Sequence, residues 1–140
     1  MNIADIMTRE VISIGSSERL GAAVELLHEH GIRHLPVLQG DELCGILSDR
    51  DIRKYRPPEA LLEGNIVAWI ALLDTPIWNV MTPEVLSVSS EDSLDRVLDF
   101  FVDLRVGAVC VVDAGRLVGI VSYIDALRAL RDQRRRSANS

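Results

Sequence analysis

A chain of 140 residues is long enough for one domain of ordinary size, and 48% hydrophobic with 26% charged residues excludes a disordered polymer. Its net charge of −6 argues against a general nucleic-acid binder. The longest apolar runs, such as residues 66–73 and 108–112, are far too short to span a bilayer. Met1-Asn2-Ile3-Ala4-Asp5 holds no basic region followed by an apolar block, so a cytoplasmic location is expected.

Taken in order, Val11-Ile12-Ser13-Ile14 is a β-branched run suited to a strand. Ser16 or Ser17 is placed to cap a helix, with Glu18 near its positive end. Leu20, Ala23, Val24 and Leu27 fall on one face of that helix, and Gly31 is placed to end it in a left-handed cap. Residues 35–38 and 43–47 read as two strands about a Gln39-Gly40-Asp41-Glu42 turn, and a further helix starts at Ser48.

The same order then returns. Adding 74 to the numbers of Gly45-Ile46-Leu47-Ser48-Asp49-Arg50-Asp51 gives Gly119-Ile120-Val121-Ser122-Tyr123-Ile124-Asp125. The register holds without a gap from Ile6/Val80 to Ile52/Ala126, with Met7/Met81, Thr8/Thr82, Leu20/Leu94 and Val37/Val111 among the identical pairs. This is a tandem duplication. Its second copy has a strand over residues 85–88 and a helical stripe of Leu94, Val97, Leu98 and Phe101. Strands over 109–112 and 117–121 follow, about an Asp113-Ala114-Gly115-Arg116 turn, and then a helix from Ser122 to about Arg131 with an apolar side of Ala126, Leu127, Ala129 and Leu130.

Between the copies, Pro57-Pro58 stops one helix and leads into Glu59-Ala60-Leu61-Leu62, Gly64-Asn65 breaks the chain again, and residues 66–73 suit another helix. Leu62, Trp69, Ile70 and Leu73 are too apolar for a free linker, so they are expected to cover the repeats or meet another subunit. The division is residues 1–56, 57–76, 77–131 and a basic tail over 132–140. Arg128, Arg131, Arg134, Arg135 and Arg136 read as a frayed, solvated end, or as a docking tail for an acidic partner or nucleic acid. Cys44 and Cys110 lie in apolar strands as buried, unpaired thiols, with no metal or redox spacing.

The repeated motif carries the chemistry. Glycine lets another backbone or a planar ligand come close. Ser48 and Asp51, one helical turn apart at a helix start, suit vicinal hydroxyls such as those of a ribose and an oxygen-rich anion, although the same pair can serve only as a helix cap. Arg33-His34 adds cationic groups ahead of the next strand, or is simply a surface pair. Its counterpart Gly107-Ala108 is small and neutral, so two unequal sites are expected.

The Asp5-Ile6-Met7-Thr8 start, Ile32-Arg33-His34-Leu35-Pro36-Val37 and residues 45–52 resemble a cystathionine-β-synthase (CBS) domain. Val80-Met81-Thr82 and residues 109–112 and 119–125 resemble a second, and together they cover nearly the whole chain. The resemblance implies an α+β fold of two β-α-β-β-α repeats, packed with pseudo-twofold symmetry as one CBS pair, or Bateman module. It implies two clefts for adenine nucleotides or related adenosyl ligands and a homodimer through the CBS helices. Carried over, the first ligand site would use Asp51 for ribose, Ser48 for sugar or phosphate, Ile46, Thr82 and Val106 around adenine, and Arg33, His34 and Arg50 toward phosphate. The second, weaker site would use Asp125, Ser122, Ile120, Thr8 and Ile32, with Ile124 in place of Arg50.

The expected function is that of a stand-alone sensor binding AMP, ADP, ATP or S-adenosylmethionine and signalling to an unidentified protein target. The competing reading is an oligomeric scaffold with vestigial clefts. Neither involves catalysis, a metal, a cofactor or a membrane: His28, His30 and His34 suggest no metal or triad geometry, and no Walker loop occurs.

Overall fold

Short β-branched runs alternating with amphipathic stripes produce one order of elements twice in the computed structural model, which describes residues 1–55 and 64–139. The first repeat holds β1 (Ile14–Gly15), α1 (Leu20–His30), β2 (His34–Gln39), β3 (Glu42–Ser48) and α2 (Asp49–Tyr55). After α3 (Ile66–Leu73) come β4 (Ser87–Val88), α4 (Leu94–Asp103), β5 (Ala108–Asp113), β6 (Arg116–Ser122) and α5 (Tyr123–Ala138). Single 3-10 turns at Ile3–Asp5 and Ile77–Asn79 lead into the repeats. The fold class is α+β. Residues 57, 58, 59 and 62, to which the sequence assigned a helix stop and part of an apolar cover, lie outside the described residues.

Each repeat builds a three-stranded mixed sheet, in the orders β1-β2-β3 and β4-β5-β6. The outer strand pairs parallel with the middle one, and the middle one antiparallel with the last. The β2–β3 and β5–β6 hairpins bulge at the same place, between Val37 and Leu38 and between Val111 and Val112. A bulge bends the strand locally, and here Cys44 and Val118 are the extra residues on the partner strands. Cys44 is therefore half-buried, where the sequence suggested full burial, while Cys110 is buried and its thiol is pushed up to about 12 by desolvation.

The chain forms two compact units, one of Ile12–Val85 and one of Met1–Val11 with Leu86–Ser140. In the first, Leu20, Ala23 and Leu27 of α1 meet Leu35, Val37 and Leu47 of the sheet, with Leu72 and Ile77 closing the cluster. In the second, Leu94, Val97 and Phe101 of α4 meet Val109, Val111 and Val121, joined by Ile3 and Ala126. Burying one such side chain contributes about 1.5–3 kcal/mol. Ile3 is anchored by its backbone N–H, which donates to the Asp92 carbonyl at 2.8 Å.

Several local expectations are corrected. Ser16 and Ser17 do not cap α1, which starts after Arg19 without a side-chain cap. Residues 16–20 pair instead with the stretch after α3: the Leu20 N–H donates to the Thr75 carbonyl at 2.8 Å, and the Ile77 N–H to the Glu18 carbonyl at 2.9 Å. Backbone carbonyl thus replaces the serine hydroxyl as the partner of the helix start. Gly31 does end α1 in the left-handed region, at φ 61°. Val24 stays exposed, because the buried stripe is the narrower Leu20, Ala23, Leu27.

The strands expected over 11–14 and 85–88 shrink to two residues each. Ser87 pairs with Cys110, but the equivalent pairing of Ser13 with Pro36 is missing, and β1 starts one position later. Proline has no N–H to give a ladder. At the other end, α5 runs on to Ala138, well past Arg131, as the cationic side chains favour the negative end of the helix. On its expected apolar side, Ala126 is buried while Leu127 and Leu130 are exposed. Of the apolar segment between the copies, Leu72 packs into the core, and Trp69, Ile70 and Leu73 remain on the surface of α3.

Candidate functional site

The unit of Ile12–Val85 gathers the first set of predicted residues where β3 turns into α2. Ser48 and Asp51 form a reciprocal pair: the Ser48 N–H donates to Asp51 Oδ2 at 2.9 Å, and the Asp51 N–H donates to Ser48 Oγ at 3.1 Å. This is a capping arrangement, and it fixes the carboxylate at the positive end of α2. The capping alternative weighed from the sequence is thus a real role of the pair.

The arrangement extends beyond a cap. Ile46 and Thr82 exchange backbone hydrogen bonds of 3.0 and 2.8 Å, so the lead-in of the second repeat runs along the edge of β3. Thr82 Oγ1 then donates to Asp51 Oδ1 at 3.1 Å. Each carboxylate oxygen thereby accepts one bond, and a carboxylate can accept about four. Two acceptor positions on Asp51 remain for outside donors.

Gly45 explains how that lead-in comes so close. A Cβ there would overlap the Met81 thioether and stand 3.1 Å from the Thr82 carbonyl. The glycine and the repeated Met7/Met81 pair are each visible in the sequence, but the packing of one on the other is not. Their shared offset across both copies was the signal.

Arg33 and His34 stand at the start of β2, where His34 pairs with Ser48 and the Asp49 N–H donates to the Arg33 carbonyl at 3.0 Å. Arg33 and Arg50 are exposed, and His34 is half-buried. Burial holds the His34 imidazole below its ordinary value, opposed by the carboxylates of Asp49 and Asp51 and reinforced by Arg33. Asp49 is a neighbour that the sequence reading did not connect to His34. Val106, assigned from the resemblance to the adenine, belongs to the other unit, where it packs against that unit's core.

The depressed value gives a direction for stability. The folded chain binds fewer protons at His34 than the unfolded chain, so this stability is fully present above about pH 6.5 and is lost as pH falls through the folded value. Urea unfolding of the wild type between pH 7 and 5 is expected to show a decline that His34→Gln flattens. Parallel profiles for the two proteins would contradict it. Asp113, held low first by the Ser90 side-chain hydrogen bond, acts only below the ordinary carboxylate range and leaves that window undisturbed.

The unit of Met1–Val11 with Leu86–Ser140 repeats the arrangement with a looser grip. Thr8 and Ile120 exchange backbone bonds of 2.9 and 3.0 Å, and Thr8 Oγ1 lies 3.4 Å from both oxygens of Asp125. Ser122 caps α5, its N–H donating to Asp125 Oδ2 at 3.0 Å. A Cβ on Gly119 would stand 2.6 Å from Met7 Sδ. Ala108 is buried where the other unit has His34, and exposed Ile124 replaces Arg50. Ile32, assigned to this second site, lies in the other unit and packs on its core.

A family model described as the CBS domain matches residues 3–57 and again 77–132. Hypoxic response protein 1 of Mycobacterium tuberculosis is 31% identical over 127 residues, covering 90% of this chain and 82% of that protein. An uncharacterized 33.4 kDa protein in a ribosomal RNA operon of Thermofilum pendens is 29% identical over 134 residues, 93% of this chain but 44% of its own length. The chain thus spans less than half of some curated relatives it matches. The crystal structure of the CBS domain pair of protein MJ0100, in complex with 5′-methylthioadenosine and S-adenosyl-L-methionine, superposes with a TM-score of 0.78 at 27% identity, covering 95% of this chain and 98% of that one. With both repeats matched and the Gly-Ile, Ser and Asp positions in the same register in each, this chain belongs to the CBS domain family as a tandem pair.

Proposed function

We propose that this CBS pair is a regulatory module whose Asp51 site takes an adenine nucleotide or related adenosyl ligand, with occupancy passed to a protein partner through a homodimer built on its helices. One observation carries the reading. The Asp51 carboxylate is anchored by the Ser48 N–H and the Thr82 hydroxyl, yet keeps acceptor capacity for a pair of ribose hydroxyls. Ile46 offers an apolar edge, while Arg33, Arg50 and His34 supply cationic or donor groups in the same unit for a phosphate or carboxylate. The likeness to the MJ0100 pair, solved with two adenosyl compounds, supports the ligand class.

The Asp125 site would take a ligand of lower charge, since Gly107, Ala108 and Ile124 bring no cation. No catalytic step enters this reading: His28 and His30 sit in the last turn of α1, and the buried Cys110 thiol is held protonated. Isothermal titration of the chain with AMP, ADP, ATP and S-adenosylmethionine tests it. Heat with at least one of them, at a stoichiometry of one or two per chain, is expected. Silence with all four would leave the scaffold reading, which the exposed apolar surfaces of α3 and α5 favour.

A further inference from the structure

The helices α4 and α5 of one unit present outward faces of opposite sign. On α4, Asp95, Asp99 and Asp103 recur every fourth residue and all are exposed, with exposed Val102 among them. They form a row about 12 Å long, at 1.5 Å per residue. On α5, Arg128, Arg131 and Arg135 make an exposed row of about 10 Å. Exposed Ile124 and Leu127 lie beside it.

Like charges at this spacing oppose the helix that carries them. Relief within the chain is slight: among the described residues, the three aspartates form no ion pair, and of the three arginines only Arg131 does, with its half-buried neighbour Asp132 at 3.0 Å. A second copy of the same chain supplies what each row needs. In a twofold dimer, the acidic row of one copy meets the basic row of the other, and the arrangement is satisfied twice by symmetry. The apolar residues beside the rows would then be shielded together, as in helix pairing guided by flanking charges.

We infer that the homodimer of the proposed function is registered by pairing the Asp95, Asp99, Asp103 face with the Arg128, Arg131, Arg135 face of a second copy. The inference rests on that dimer and adds which surfaces meet. It is tested by measuring mass in solution by sedimentation. Twice the 15.5 kDa of one chain is expected at about 50 mM NaCl, with dissociation at least tenfold easier at about 500 mM, where charges are screened. Two variants, D95K/D99K/D103K and R128E/R131E/R135E, should each be monomeric, with helix content checked by circular dichroism. Mixed in equal amounts, they should form a heterodimer, because both interfaces then carry opposite charges. A dimer that persists in each variant, or a mixture that stays monomeric, overturns the pairing and leaves the dimer itself standing. A wild-type chain monomeric at every salt concentration overturns both.

Discussion

Asp51→Ala is expected to weaken adenosyl-ligand binding by about 1–3 kcal/mol, which is roughly 5- to 150-fold in Kd. The carboxylate accepts from the Ser48 N–H and the Thr82 hydroxyl, and its remaining acceptor positions would serve the sugar. Alanine removes all of these together. It also removes half of the reciprocal cap of α2, at a cost of about 1 kcal/mol in stability. The two effects separate by comparison with Asp125→Ala. That variant loses a similar cap on α5 but leaves the Asp51 group intact. Titration calorimetry should therefore show the large loss at the Asp51 site only for Asp51→Ala, Asp125→Ala affecting at most a second binding event, while denaturant unfolding shows comparable shifts for both. Equal ligand affinity in wild type and Asp51→Ala would move the ligand to another place on the molecule.

Gly45→Val is expected to destabilise the chain by about 3 kcal/mol, at the upper end for overpacking a filled interior. The β-carbon would already enter space held by the Met81 thioether, and valine adds two more methyl groups to it. A thioether can swing aside, but the Thr82 carbonyl behind it, 3.1 Å from the would-be Cβ, is backbone and is tied to the Ile46 N–H. The β3 edge must part from the lead-in of the second repeat, and the Thr82–Asp51 hydrogen bond goes with it. Loss of ligand heat should accompany the fall in stability. Gly15→Ala is the control, since a Cβ there meets only the Glu18 side chain at an ordinary 3.6 Å. Urea denaturation of the three proteins decides the matter: a Gly45→Val midpoint as high as that of Gly15→Ala would mean the close approach has slack.

The duplication and the β2–β3 and β5–β6 hairpins were legible because their apolar residues and turn glycines sit at fixed local spacing. Gly31 and Gly40 adopt the positive φ that a cap and a turn require. The serine and aspartate at the start of α2 and α5 were legible for the same reason, being one turn apart. What escaped was set by partners distant along the chain. Ser16 looked like a cap because its sequence neighbours form a helix, yet its carbonyl accepts from the Trp78 N–H instead. The shortness of β1 depended on Pro36, more than twenty residues later. Met81 could be recognised as the residue opposite Gly45 only once the lead-in was seen lying along β3. Asp49 came near His34 only through the hairpin register that sets His34 against Ser48.

The exchange of lead-in segments bears on how the protein is made. The unit of Ile12–Val85 is continuous, so all of it is synthesised before the second sheet begins. The other unit must join Met1–Val11 to residues that follow position 85, closing a long loop whose entropy has to be met before any contact repays it. Ile3, fully buried in the finished molecule, therefore leaves the ribosome ahead of the Ile12–Val85 unit but finds its place only after the residues beyond position 85 follow. During that interval the N-terminal arm is the part of the nascent chain most in need of shelter from other chains.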